Sequence, residues 1–205
     1  MGIDFKHIED NYTDFNREKL IPYQVSDRGP ALAIGDLNDD GKEDVFFGGS
    51  KLISSQIYLN QDSSFVQSTY KSIEDELIKE DVAAAIADFN GDSKNDILIG
   101  SGGADFYGEA NPLLDSYFIQ NDATYVKAEL PNYFQNASVI KPYDFDNDGD
   151  LDVFVGGHTV SGKFGIPATS YLLQNDEGTF SILKNFEASD QGMICLLYTS
   201  DAADE

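Results

Sequence analysis

Short runs rich in β-branched and aromatic residues follow one another along the chain, broken by Asn-Asp, Asp-Gly and Gly-Gly steps. Alternating apolar and polar positions mark half-buried strands, and the small polar steps are turn chemistry. The runs fall into three groups of four. The first group predicts strands over 31–35, 44–48, 56–60 and 65–70; the second over 82–87, 96–100, 116–120 and 125–129. The third predicts them over 137–143, 152–156, 169–174 and 180–183. In each group related turns join the third and fourth strands: Gln61-Asp62-Ser63-Ser64, Asn121-Asp122-Ala123-Thr124 and Asn175-Asp176-Glu177-Gly178. An aromatic residue soon follows each turn, namely Phe65, Tyr125 or Phe180.

Between the first and second strands of every group lies the same nine-residue polar segment. It reads DLNDDGKED at 36–44, DFNGDSKND at 88–96 and DFDNDGDLD at 144–152, so the copies start 52 and 56 residues apart. Periods of this length, each yielding four strands, fit the blades of a β-propeller better than compact solenoid turns. An immunoglobulin-type sandwich is the alternative, but its strands have no reason to restart with one recurring loop. The expected fold is therefore all-β, a partial β-propeller of about three four-stranded blades. Three blades do not close a ring, so a fragment of a larger propeller is expected, with seven blades as the expected total. Residues 1–28 are a lead segment that packs on, or belongs to, a preceding blade. Blades one to three occupy 29–80, 81–136 and 137–191, and 192–194 begin the next. Insertions at 102–114 and 157–168 follow equivalent strand ends and are candidate binding loops.

The repeated segments carry metal-binding chemistry. Oxygen-bearing side chains stand at positions 1, 3, 5 and 9, and Ca²⁺ takes roughly six to eight hard oxygen ligands in flexible geometry. The expected ligands in loop one are Asp36, Asn38, Asp40 and Asp44 with the Lys42 carbonyl. Loop two offers Asp88, Asn90, Asp92 and Asp96 with the Lys94 carbonyl; loop three offers Asp144, Asp146, Asp148 and Asp152 with the Asp150 carbonyl. Glycine at position 6 eases the turn around an ion. Loop three, with four carboxylates and Gly149, is expected to bind most strongly. Loop two, where Ser93 replaces that glycine, is expected to bind least. Up to three Ca²⁺ are expected, one per loop; another divalent ion, or acidic turns without an ion, are the alternatives. None of the loops has the position-12 glutamate of an EF-hand.

Composition narrows the partners. Thirteen basic against 37 acidic residues give a net charge of −24, which repels nucleic acid phosphates and anionic lipid, so no nucleic acid partner is expected. No apolar run approaches the roughly 18 residues of a transmembrane helix, and no signal peptide pattern is found at the start. The single cysteine provides no disulfide framework within the chain.

The segments GDLNDDGKEDVFFGG, ADFNGDSKNDILIGSGG and YDFDNDGDLDVFVGGH resemble the FG-GAP/VCBS family of integrin-alpha-like calcium repeats. The lead segment, FKHIEDNYTDFNREKLIPYQVSDRGPALAIGD, is similar more narrowly to ASPIC/UnbV-associated bacterial proteins related to cartilage acidic protein. The resemblance implies a calcium-stabilised propeller that is secreted, periplasmic or at the bacterial cell surface. It implies a noncatalytic scaffold with a protein or glycan ligand, alongside the remaining blades of a longer chain. An accessory part of a secreted carbohydrate-active hydrolase or lyase, with its catalytic residues elsewhere, is the second reading. The last eleven residues, CLLYTSDAADE from Cys195 to Glu205, resemble a translated sequencing adapter and are read as a non-native tail.

Catalytic signatures are absent from the sequence. His7 and His158 have no metal-site spacing, and Ser161 and Ser170 lie outside any GxSxG context. The GSGG run at 100–103 lacks a following GK[ST]. His7 is expected to anchor the lead segment, His158 is a candidate for lining a loop pocket, and Lys163 and Phe164 are candidates for ligand contact.

Overall fold

The computed structural model describes residues 2–103, 105–122, 124–184, 186 and 192–194. Twelve strands form three four-stranded antiparallel sheets, each in simple up-and-down order. The first holds β1 (Leu32–Gly35), β2 (Asp44–Phe47), β3 (Gln56–Asn60) and β4 (Phe65–Ser68). The second holds β5 (Asp81–Ala87), β6 (Asp96–Ser101), β7 (Ser116–Asn121) and β8 (Thr124–Ala128). The third holds β9 (Ala137–Tyr143), β10 (Asp152–Gly157), β11 (Tyr171–Asp176) and β12 (Thr179–Ile182). These are the blades of a partial β-propeller. Strand ends differ from the predicted ones by at most two residues. Short helical turns at Asp14–Asn16, Lys71–Glu74 and Asn111–Leu113 were not legible in the pattern. The tail at 195–205 lies outside the described residues.

The cores lie between blades. Ala31, Leu37, Phe46 and Ile57 of the first sheet pack against Ile97, Ile99, Phe118 and Tyr125 of the second. Phe89, Leu98 and Tyr117 then pack against Val153, Val155, Leu173 and Phe180 of the third. Phe89, Tyr117 and Phe180 meet edge to face at centroid distances of 5.3–5.9 Å, favourable geometry for ring quadrupoles. Close approach of neighbouring inner strands depends on small residues in or just after the second strands. A side chain at Gly48 would overlap Ala31 and Asp81, and one at Gly100 would press on Ala137 and Ile140. One at Gly156 would meet Val139 and Ile194. The Ile194 N–H donates to the Gly157 carbonyl at 3.0 Å, as the Asp81 N–H does to Gly49 at 2.9 Å. Ile194 thus stands against blade three as Asp81 stands against blade one.

The lead segment touches all three blades. Phe5 stacks on Phe47 at 4.3 Å, and the Tyr58 hydroxyl donates to Asp4 at 2.8 Å. The Ser50 hydroxyl donates to the Ile8 carbonyl, while His7 meets Glu9 within the segment and lies against Gly29. Further on, Arg17 donates to the Asp105 carbonyl at 3.4 Å, and the Phe164 N–H donates to Glu18 at 2.7 Å. The segment therefore crosses the end of the sheets that carries both insertions, opposite the aspartate loops.

Candidate metal centre

Each nine-residue loop folds the same way because two of its residues adopt the left-handed conformation. At position 4 these are Asp39, Gly91 and Asn147, with φ of 59°, 74° and 60°; at position 6 they are Gly41, Ser93 and Gly149, with φ of 81°, 69° and 103°. Asp and Asn tolerate this region better than other side chains, and glycine enters it freely. Loop two has its glycine at position 4 and carries the strain at Ser93.

The carboxylate at position 1 organises the turn. Asp36 accepts the N–H groups of Asn38 and Asp40, both at 3.2 Å, and of Gly41 at 2.7 Å. Asp88 accepts those of Gly91 at 2.8 Å, Asp92 at 3.2 Å and Ser93 at 2.8 Å. At position 5, Asp40 and Asp92 accept the Lys42 and Lys94 N–H groups at 3.0 and 2.8 Å. Both also receive the side-chain amide of the position-3 asparagine, Asn38 or Asn90, at 3.3 Å. The lysine side chains at position 7 turn to the hairpin between the third and fourth strands, Lys42 to Asp62 at 3.2 Å and Lys94 to Asp122 at 2.9 Å.

Position 9 has a second task that the sequence did not disclose. Asp44, Asp96 and Asp152 are fully buried. Asp44 accepts Leu37 N–H at 2.9 Å and Asn60 N–H at 2.7 Å. Asp152 accepts Phe145 N–H at 3.1 Å and Asn175 N–H at 2.8 Å. Asp96 accepts Gln120 N–H and the Tyr117 hydroxyl, each at 2.9 Å. Each carboxylate thereby ties the start of the second strand to the third. Burial raises all three above the usual carboxylate range, Asp96 to about 6, against the opposing pull of their backbone donors.

Loop three differs. Asp144, Asp146 and Asp152 can each point an oxygen to a common centre, with those atoms within 4.8 Å of one another. Among the described residues no other loop gathers three carboxylates in this way. Asp144 Oδ2 accepts the Gly149 N–H at 3.1 Å, but its Oδ1 is buried without a hydrogen-bond partner. Such an oxygen costs free energy unless something satisfies it. Three converging carboxylates, with an orphaned Asp144 oxygen among their atoms, fit a divalent cation. Asp148 and Asp150 are not in this group; they accept the Asp150 and Glu177 N–H groups at 3.0 and 2.8 Å.

The neighbouring blade grips loops one and two from outside. Asn95 donates to the Asp36 carbonyl at 2.9 Å and the Tyr125 hydroxyl to the Leu37 carbonyl at 3.0 Å. Asn175 donates to the Phe89 carbonyl at 2.7 Å. These asparagines were missed in the sequence because Asn at a strand end reads first as turn chemistry. The remaining candidates also find places. His158 is buried, its Nδ1 unpartnered, and burial beside Arg28 pushes its pKa down to about 4. Phe164 lies against the lead segment, with Lys163 exposed beside it.

Three up-and-down sheets, each with its inner hairpin closed by an aspartate-rich loop, define a repeat β-propeller fragment. The FG-GAP-like repeat family matches residues 36–99, from the first loop through most of β6, so the chain carries an FG-GAP-like repeat there. Blade three, beyond the matched stretch, has the same strand order and loop conformation. The curated protein sequences give no match to the chain. Among the described residues no helix is long and apolar enough to cross a membrane.

Proposed function

We propose that the chain is a calcium-stabilised, noncatalytic FG-GAP/VCBS scaffold that presents its insertion-bearing end to an extracellular protein or glycan. Its units are the blades at 29–80, 81–136 and 137–191, with 1–28 a lead segment laid across their insertion-bearing end. The observation that carries the calcium reading is the convergence of Asp144, Asp146 and Asp152, one of which, Asp144, also has a buried oxygen without a partner. These three would hold the ion in loop three. Loops one and two would use the ligand sets read from their sequence, with Ser93 weakening the second. A bound cation supplies charge neutralisation: without it, carboxylates crowded into one turn repel one another, and binding to the folded state alone adds stability by mass action.

Thermal melting tests this reading. Millimolar Ca²⁺ is expected to raise Tm by several degrees over EDTA, with Mg²⁺ less effective. Asp146→Asn is expected to remove most of the response, because it deletes a carboxylate from the convergent set. A melting curve indifferent to Ca²⁺ sinks the assignment.

A further inference from the structure

The end of the molecule opposite the aspartate loops carries a surface unlike the rest. Arg17, Glu18, Lys19, Leu20, Ile21 and Phe164 line an open groove of about 440 Å³. Leu20 is 97% exposed, and Ile166 and Tyr23 about half exposed. Tyr23 meets Phe164 edge to face at 5.7 Å. Arg17 lies over the rings of Tyr107 and Tyr12, at 4.8 and 5.5 Å, which fixes its guanidinium at the rim.

Charge separates this surface from its surroundings. The chain carries −24, yet Arg17, Lys19 and Lys163 are exposed here, and none forms an ion pair with a carboxylate among the described residues. Among the described residues one uncompensated carboxylate, Glu18, stands in the groove against these three cations. Glu18 accepts the Phe164 N–H, and Asp105 pairs with Lys51. Clustered aromatic, aliphatic and arginine side chains are the composition of an interaction hot spot. Exposed charges of one sign steer a partner of the other. Leu20 and Ile166 offer a sugar no hydrogen bonds, and three cations suit carboxylates, so the surface favours an acidic segment with an apolar side chain.

We infer that this groove binds an acidic protein segment, which seats an apolar side chain beside Leu20 and Phe164 and sets its carboxylates against Arg17, Lys19 and Lys163. The inference rests on the scaffold reading but not on its calcium term. The test is selection of a phage-displayed random twelve-residue peptide library on the immobilised chain in Ca²⁺. A synthetic, fluorescein-labelled copy of the leading peptide is then titrated by anisotropy. Selected peptides are expected to be rich in Asp and Glu around a Leu, Ile or Phe. K19E/K163E is expected to weaken the peptide at least tenfold and to remove the salt dependence of its binding. L20S is expected to weaken it severalfold, with both variants melting as the parent does. Selection without an acidic-apolar consensus, or affinity unchanged in both variants, overturns the inference. So does binding of polygalacturonate that K19E/K163E abolishes and L20S leaves intact, which marks a glycan site. Self-association of the chain that L20S dissolves overturns it in favour of a second copy. Peptide binding that persists while Ca²⁺ leaves Tm unmoved sinks the calcium reading alone; loss of peptide binding with the Ca²⁺ response intact sinks the groove alone.

Discussion

Ser93 occupies a conformation that loops one and three reserve for glycine. Its φ of 69° brings the β-carbon against its own backbone, while its N–H still donates to Asp88 at 2.8 Å. Ser93→Gly keeps that bond and removes the steric cost, offset in part by the greater freedom of glycine in the unfolded chain. The expected net gain is about 0.5–1 kcal/mol, or about 1–4 °C in Tm, measured in EDTA so that ion binding does not contribute. Gly91→Ala, two residues earlier at φ 74°, is expected to move Tm the other way. The sequence exposed the departure at Ser93 but not the compensation, because only the fold reveals that position 4 is left-handed as well. Likewise the aspartates at position 9 were legible as oxygen donors. Their burial was not, since a carboxylate at a strand start looks the same whether it faces solvent or a neighbouring strand.

A blade is held by its own ladder and by its grip on the next. Asn175 shows the second kind of bond. It is 1% exposed, donates to the Phe89 carbonyl of blade two at 2.7 Å and to Leu151 at 3.1 Å, and accepts the Gly178 N–H at 2.9 Å. Asn175→Ala leaves buried backbone groups unsatisfied, at a cost of about 2–3 kcal/mol, so Tm is expected to fall by about 5–10 °C in a thermal melt. Strands were legible because alternation and turn residues act over a few positions of sequence. The grips were not, because Asn175 and Phe89 stand 86 residues apart and no local pattern links them. The helical turn at Lys71–Glu74 was missed for a related reason: it is a single turn, and its one buried side chain, Ile73, packs into the core between blades one and two.

At the scale of the whole molecule, acidity meets burial where the lead segment returns to the inner strands. Glu80 is buried and accepts the Arg28 N–H at 3.2 Å. Burial first, then the nearby charges of Glu9, Asp105 and Asp27, push its pKa up from 4.5 to about 8. The folded chain therefore keeps a proton that the unfolded chain releases. The resulting stability is complete below about pH 4.5 and is lost as pH rises through about 8. His158 acts on the other side, since a pKa near 4 makes stability fall as pH drops below the ordinary histidine value. Glu80→Gln keeps an acceptor without the charge. It is expected to match the parent at pH 5 and to melt several degrees higher at pH 9, read from melts at fixed Ca²⁺. The seams themselves have a wider meaning. Gly48, Gly100 and Gly156 each admit an inner strand, and Asp81 and Ile194 enter by the same hydrogen bond. Successive units therefore meet through interchangeable joints. A gene built this way can gain or lose whole units by duplication or unequal recombination without evolving a new contact, whereas an insertion of part of a unit breaks two joints at once.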